Sequence, residues 1–302
     1  MPRTPALRGL LALVAAAVLA AGCSSEGGGD SADRSATPSP SASAPSTSGS
    51  TPSPSASSPS APASAAPGTV PPDWLGTRVL PLGPDGYGAV RATPRELRNR
   101  RFTLPDPVAA LPGRGFASRV VAPAPARVLA RSTWGPRCPV AADDLAWVRV
   151  AFRGFDGARH TGELLVNRTA ADDLVGVFRD LWRARFPFER IAITTRAELD
   201  AAPTGDGNDT GAFVCRPITG GTSYSEHAYG LAIDINPFQN PYVRGDLVLP
   251  ELASAYADRA WVRPGMITPD GPVVRAFARI GWAWGGAWST RKDYQHFSAS
   301  GR

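Results

Sequence analysis

Lysine is nearly missing from this chain of 302 residues: Lys292 is the only one, and arginine supplies the rest of the basic side chains. With a net charge of +6 and no basic run interleaved with aromatic residues, a nucleic-acid partner is not expected. Histidine and cysteine are scarce too, at three each. Neither Cys138 nor Cys215 stands in a C-x-x-C pattern, which argues against a cysteine metal site. No internal repeat occurs, and no Ser, His and Asp fall into a plausible nucleophilic set. The one strongly apolar run, Leu10 to Ala21, is too short for a permanent membrane helix, which takes about 20 apolar residues.

That run suits the apolar core of a secretory signal, since Arg3 and Arg8 give it a basic start. It ends in "LAAGCSS", which resembles a bacterial lipobox, with cleavage before Cys23 and lipid attached to that cysteine. The alternative is plain signal cleavage nearby. Residues 1–22 are therefore expected to be a lipoprotein signal peptide. Residues 23–70 are nearly all Ser, Pro, Ala, Thr and Gly, a composition that cannot bury enough apolar surface to offset chain entropy. As an extended tether it would reach on the order of 100 Å, at about 3.1 Å per residue. An extracytoplasmic membrane lipoprotein facing the cell wall is the expected setting.

The remainder, from about Pro71, carries all eight tryptophans and is long enough for one sizeable core. Residues 71–130 show little periodicity and read as an irregular lead-in with one short helix near "TPRELRNR". Residues 131–302 read as the folded domain. In an exported protein Cys138 and Cys215 are expected to form a disulfide, closing a loop of 215 − 138 = 77 residues, the alternative being two buried thiols.

"WVRVAF" and "RHTGELLVN" alternate on either side of an Asp-Gly and predict a hairpin. Leu174, Val177, Phe178, Leu181 and Trp182 recur at helical spacing. "RIAITT" and "GLAIDIN" predict strands, "TPDGPVVRAFARIG" a helix starting at its Thr-Pro, and "WAWGG" and "YQHFS" closing strands. The sum is an α+β fold, a small antiparallel sheet with helices packed on one face.

In "SEHAYGLAIDIN", Leu231, Ile233 and Ile235 lie on one strand face and Asp234 on the other. If the aliphatic face meets the core, Asp234 points into a cleft, with His227 just before the strand. A histidine and a carboxylate make a partial zinc site, and catalytic zinc takes three protein ligands. A histidine beside a strand is ordinarily structural, so the pair alone does not define a site. His296 in "DYQHF", three residues after Asp293, is a candidate third ligand. His160 in "RHTGE" reads as a structural residue bridging strands, with a substrate contact as the alternative.

"SEHAYGLAIDINP" resembles the S-x-H-x-x-G-x-A-x-D signature of the zinc D-alanyl-D-alanine carboxypeptidases of the VanY type, and "DYQHF" resembles their second motif. This resemblance implies the fold of that family, shared with the hedgehog signalling domain, and one Zn2+ per chain. It implies His227, Asp234 and His296 as ligands and Asp293 as general base, a position where relatives often carry glutamate. It implies Arg216 as the residue that polarises the scissile carbonyl, Arg196 being the other candidate, and Ser225 as a substrate contact. The implied substrate is a peptidoglycan stem peptide and the protein is expected to be a monomer. A peptidoglycan endopeptidase of the L-Ala–D-Glu type uses the same motifs. A non-catalytic zinc-containing wall-binding module is the other alternative, against which the retained Asp293 and Arg216 weigh.

Overall fold

The computed structural model describes residues 66–218 and 222–302. The expected signal segment, Cys23 and the tether up to residue 65 lie outside the described residues.

The chain runs through β1 (Ser118–Val121), α1 (Ala126–Arg131), β2 (Leu145–Gly154), β3 (Arg159–Asn167) and α2 (Ala171–Arg183). Three short pieces follow, β4 (Pro187–Phe188), β5 (Arg190–Ile191) and α3 (Arg196–Leu199). Next come β6 (Asp209–Thr210), β7 (Ala232–Asp234), β8 (Tyr242–Arg244), β9 (Leu247–Leu249) and α4 (Ser254–Ala257). The last elements are α5 (Pro272–Arg279), β10 (Ala283–Trp284), β11 (Lys292–Asp293) and β12 (His296–Ser298).

The α+β class expected from the sequence holds, with the strands divided among several small sheets rather than gathered in one. β1, β2 and β3 run antiparallel, with β4 added in parallel to β2. β12 sits between β10 and β7, and β8 between β11 and β9. β5 and β6 form a short parallel pair.

The predicted hairpin is β2–β3, turning at Gly157, whose φ of 77° suits a residue without a Cβ. Val148, Val150 and Phe152 on one β2 face meet Leu174, Val177, Phe178 and Leu181 of α2. Ile233, Ile235, Phe277 and Phe297 extend the same core under the second sheet. Truncating a fully buried side chain such as Phe178 to alanine would cost about 3–5 kcal/mol.

Several expected strands are shorter than their patterns, β7 spanning only Ala232–Asp234 and β10 only Ala283–Trp284, and two boundary differences have a local cause. The strand over "RIAITT" stops at Ile191, because Thr195 turns the chain into α3 with a capping box: its hydroxyl accepts from Glu198 N, and Glu198 accepts from Thr195 N. The last helix starts at Pro272 rather than at Thr268-Pro269, because Gly271 N donates to Thr268 O and closes a turn first. Pro272 then takes the first helical position, where its missing N–H costs nothing.

Residues 71–130 pack tightly. The short helical turn near "TPRELRNR" is present at Arg95–Leu97, and β1 adds a strand to the β2 edge. Leu97 and Phe102 join Phe238, Leu252 and Tyr256 in a second core. Arg100 is buried and forms two hydrogen bonds with Glu189, at 2.7 and 2.6 Å. Removing either partner would strand a buried charge at a cost of about 3–5 kcal/mol. Cys138 and Cys215 are bonded, with Cα atoms 5.8 Å apart. In a chain-entropy account the 77-residue loop contributes roughly 4 kcal/mol.

Candidate metal centre

Two of the three predicted ligands are brought together by strand register. β12 pairs with β7 so that His296 lies directly opposite Asp234, Phe297 opposite Ile233 and Ser298 opposite Ala232. Directly opposed residues point to the same face of a sheet. Phe297 and Ile233 therefore go to the core together, and His296 and Asp234 go to the other side together.

His227 arrives by a different route. It lies in a single helical turn, Glu226–Tyr229, just before β7. Ser225 caps that turn, its hydroxyl accepting from His227 N at 3.3 Å. Gly230 ends it with φ 68°. A Cβ on Gly230 would stand 2.4 Å from Asn167 N, so the close passage against β3 also demands glycine.

The three side chains offer His227 Nε2, His296 Nδ1 and Asp234 Oδ1 to one point. The sides of this triangle are 3.2, 3.3 and 3.1 Å. Tetrahedral zinc with bonds of about 2.0–2.1 Å needs donors about 3.3 Å apart, so the triangle fits. The outer ring nitrogens fix the orientation. His227 Nδ1 lies 2.6 Å from Ala212 O, and His296 Nε2 lies 3.0 Å from the backbone oxygen of Arg302. A backbone carbonyl or carboxylate oxygen only accepts, so each outer nitrogen carries the hydrogen. The inner nitrogens of the neutral rings then present lone pairs beside a carboxylate. Such a donor set suits a bound cation at that centre, or a proton in its place.

The electrostatics agree. Burial works to raise the Asp234 pKa, but the two histidines outweigh it and hold the carboxyl well below its usual range. Burial works to lower His296, and the hydrogen bond and charge of Asp234 outweigh that, pushing it up to about 9. Without a metal, a proton on His296 thus faces Asp234. A divalent cation takes the place of that proton.

The triad lines a cleft of about 1960 Å³. Asp293, in β11, lies in the same cleft, and its Oδ1 is buried with no partner among the described residues. Burial, followed by the negative charge of Asp234, pushes its pKa up to about 6. Gly285 makes room for it: a Cβ there would fall 2.9 Å from the Asp293 Cβ.

Arg216 also faces the cleft, and among the described residues its guanidinium donates only to Pro217 O, at 3.2 Å. Ser225 N donates to Arg216 O, so the two residues are neighbours across a narrow hairpin. Arg196 is engaged elsewhere, donating to Thr133 O at 2.7 Å. His160 is remote from the triad in role as well as in sequence. Its ring stacks on Phe152 and its nitrogens contact Asp106 and Asp156 at 2.8 and 3.1 Å.

Sequence reasoning missed the backbone oxygens of Ala212 and Arg302, which carry no side-chain signal. It also missed that Leu75, Gly76 and Tyr87 of the lead-in line the cleft. Their polypeptide is tied down by contacts from distant residues, with Gly76 N donating to Asp206 and Gly88 N to Glu251.

Two histidines and a carboxylate around one cation position, in an open cleft beside a buried carboxylate, define a zinc metallopeptidase centre. The family model described as D-alanyl-D-alanine carboxypeptidase matches residues 219–299, which hold all three ligands. Those residues form a zinc-binding domain of that carboxypeptidase kind, with a catalytic centre consistent with its mechanism. No curated protein and no solved structure matches the chain.

Proposed function

We propose that this protein is a D-alanyl-D-alanine carboxypeptidase of the bacterial cell envelope, removing the terminal residue from peptidoglycan stem peptides. The observation that carries the reading is the lone-pair triangle of His227, Asp234 and His296 within the family match. Zinc held by these residues would polarise the scissile carbonyl and bring the pKa of a water to about 7.

The chain's own residues supply the rest. The Asp293 carboxylate accepts the proton of the attacking water and hands one to the departing amine, as a general base and then acid. A pKa pushed up towards neutrality favours both halves of that task. Arg216 donates to the oxygen on which negative charge develops; losing one such donor typically costs about 3–4 kcal/mol in the barrier. Ser225 uses its oxygen to cap the His227 turn, which leaves its hydroxyl hydrogen for a substrate carbonyl.

In this reading residues 131–302 are the peptidase domain and 71–130 complete one wall of its cleft. Cys23 carries the lipid, the Ser/Pro/Ala-rich segment is the tether, and the protein acts as a monomer at the cell wall. The size of the cleft favours one alternative specifically. At about 1960 Å³ it exceeds the roughly 300–1,000 Å³ of small-ligand pockets. Such a groove accepts a longer peptide, as an endopeptidase would need.

The test is zinc analysis of the purified protein together with mass spectrometry of digested muropeptides. Loss of one alanine per stem supports the carboxypeptidase. A released stem would assign the endopeptidase. Wall binding with no product, with or without chelator, would leave only the binding module.

A further inference from the structure

The chain after β12 folds back on the metal centre. Ala299 N donates to Leu231 O at 3.0 Å, and Arg302 N to Ser300 Oγ at 3.3 Å. This turn brings the backbone oxygen of Arg302 onto the outer nitrogen of His296, 3.0 Å away. Two side chains hold the turn there. Ser298 Oγ donates to the same Arg302 oxygen at 2.8 Å. Trp288 Nε1 donates to Gly301 O at 3.0 Å, and its ring lies 5.7 Å from that of His296.

The arrangement follows from strand geometry. Ser298 is two residues beyond His296 on β12, so both side chains leave the same face. A backbone oxygen has two lone pairs and can accept from both. Ser298 is fully buried, so its hydroxyl has no solvent alternative and is committed to that contact. The Arg302 oxygen is thereby kept from swinging away from the imidazole.

Resting on the zinc reading of the site, we propose that Ser298 and Trp288 are positioning residues for His296. They hold the 299–302 turn so that its backbone oxygen fixes the ring with Nδ1 facing the cation. Partners of this kind typically carry about 10- to 100-fold in metal affinity. Neither residue touches the cation in this scheme.

The test measures zinc affinity by chelator competition, and the visible absorption of the Co2+-substituted protein, for wild type, Ser298→Ala, Ser298→Thr and Trp288→Phe. Thermal unfolding of each metal-free protein checks the fold. The expected result is a zinc Kd about tenfold weaker in Ser298→Ala and in Trp288→Phe, with an altered Co2+ spectrum. Ser298→Thr keeps the hydroxyl and should keep wild-type affinity and spectrum. Unchanged Kd and spectrum in folded Trp288→Phe and Ser298→Ala would overturn the proposal. Equal weakening in Ser298→Thr and Ser298→Ala would overturn the hydroxyl's part by pointing to packing. A wild-type protein that takes up no zinc would instead defeat the metal reading itself.

Discussion

Two clusters in this molecule pair imidazole with carboxylate at hydrogen-bonding distance, and only one is a metal centre. Around His160, both ring nitrogens are met by carboxylates, Asp106 on one side and Asp156 on the other. Nothing is left over for a ligand. Around His227 and His296, each outer nitrogen is spent on a backbone oxygen and each inner nitrogen faces the other beside Asp234. Two acceptor lone pairs 3.2 Å apart are tolerable only with a proton or a cation between the groups. The lesson is that residue composition does not distinguish the clusters. The direction in which the unprotonated nitrogens point does.

The sharpest way to test that contrast is to remove the cation or its ligands. Chelation should abolish turnover, and added zinc should restore it. His227→Ala or His296→Ala should lose stoichiometric zinc by elemental analysis and all measurable cleavage. His160→Ala should retain both. Retained zinc in either ligand variant would mean the triangle is not the binding site.

Next in size is Asp293. Asp293→Asn keeps the shape of the side chain and removes its basicity. Zinc content should stay at wild type while kcat falls about 100- to 10,000-fold, the range typical of general acid–base catalysis. Wild-type turnover in a zinc-loaded variant would remove Asp293 from the chemistry.

Smaller but directional is the pH dependence of metal uptake. His296 has its pKa pushed up to about 9, because Asp234 outweighs the cost of burial. Below that pH zinc must displace a proton, and above it need not. Apparent zinc affinity should therefore rise about tenfold per pH unit as pH climbs towards 9 and level off beyond. Stability of the metal-free protein should move the other way. A raised histidine pKa stabilises the fold fully below its ordinary value of 6.5, and this contribution is lost as pH rises through about 9. Chelator competition and thermal melts across that range would show both trends, and a flat affinity profile would contradict the first.

The candidate ligands were legible in the sequence because they are rare or periodic, but only the resemblance to the zinc carboxypeptidases joined them into one site. Two of only three histidines take part, and the alternation of Leu231, Ile233 and Ile235 already set Asp234 on the opposite face. The hairpin and α2 were legible for the same reason, period 2 and period 3.6 over long runs. What stayed hidden depends on contacts with no local pattern. Arg100 and Glu189 are 89 residues apart, and no spacing rule announces that they will meet in the interior. The contribution of residues 71–130 to a second core, and to the cleft wall, was hidden with them. The division into several sheets was hidden because most of the strands near the centre are only two or three residues long.

The smallest expected effect belongs to His160, and it defines the other cluster. Its contacts to Asp106 and Asp156 join the lead-in to the β2–β3 turn, and Asp106 also accepts from Thr161 N at 2.8 Å. His160, Asp106 and Asp156 are partly exposed, so solvent competes for the contacts of the imidazole. Asp106 keeps its backbone partner when the imidazole is removed. His160→Ala should therefore destabilise the protein by only about 1 kcal/mol by denaturant titration. Zinc content should be unchanged and turnover should stay within about twofold. A tenfold loss of turnover in a folded, zinc-loaded His160→Ala protein would show that closure of the lead-in reaches the cleft. His160 would then be a positioning residue for the cleft wall and not only a brace for the fold.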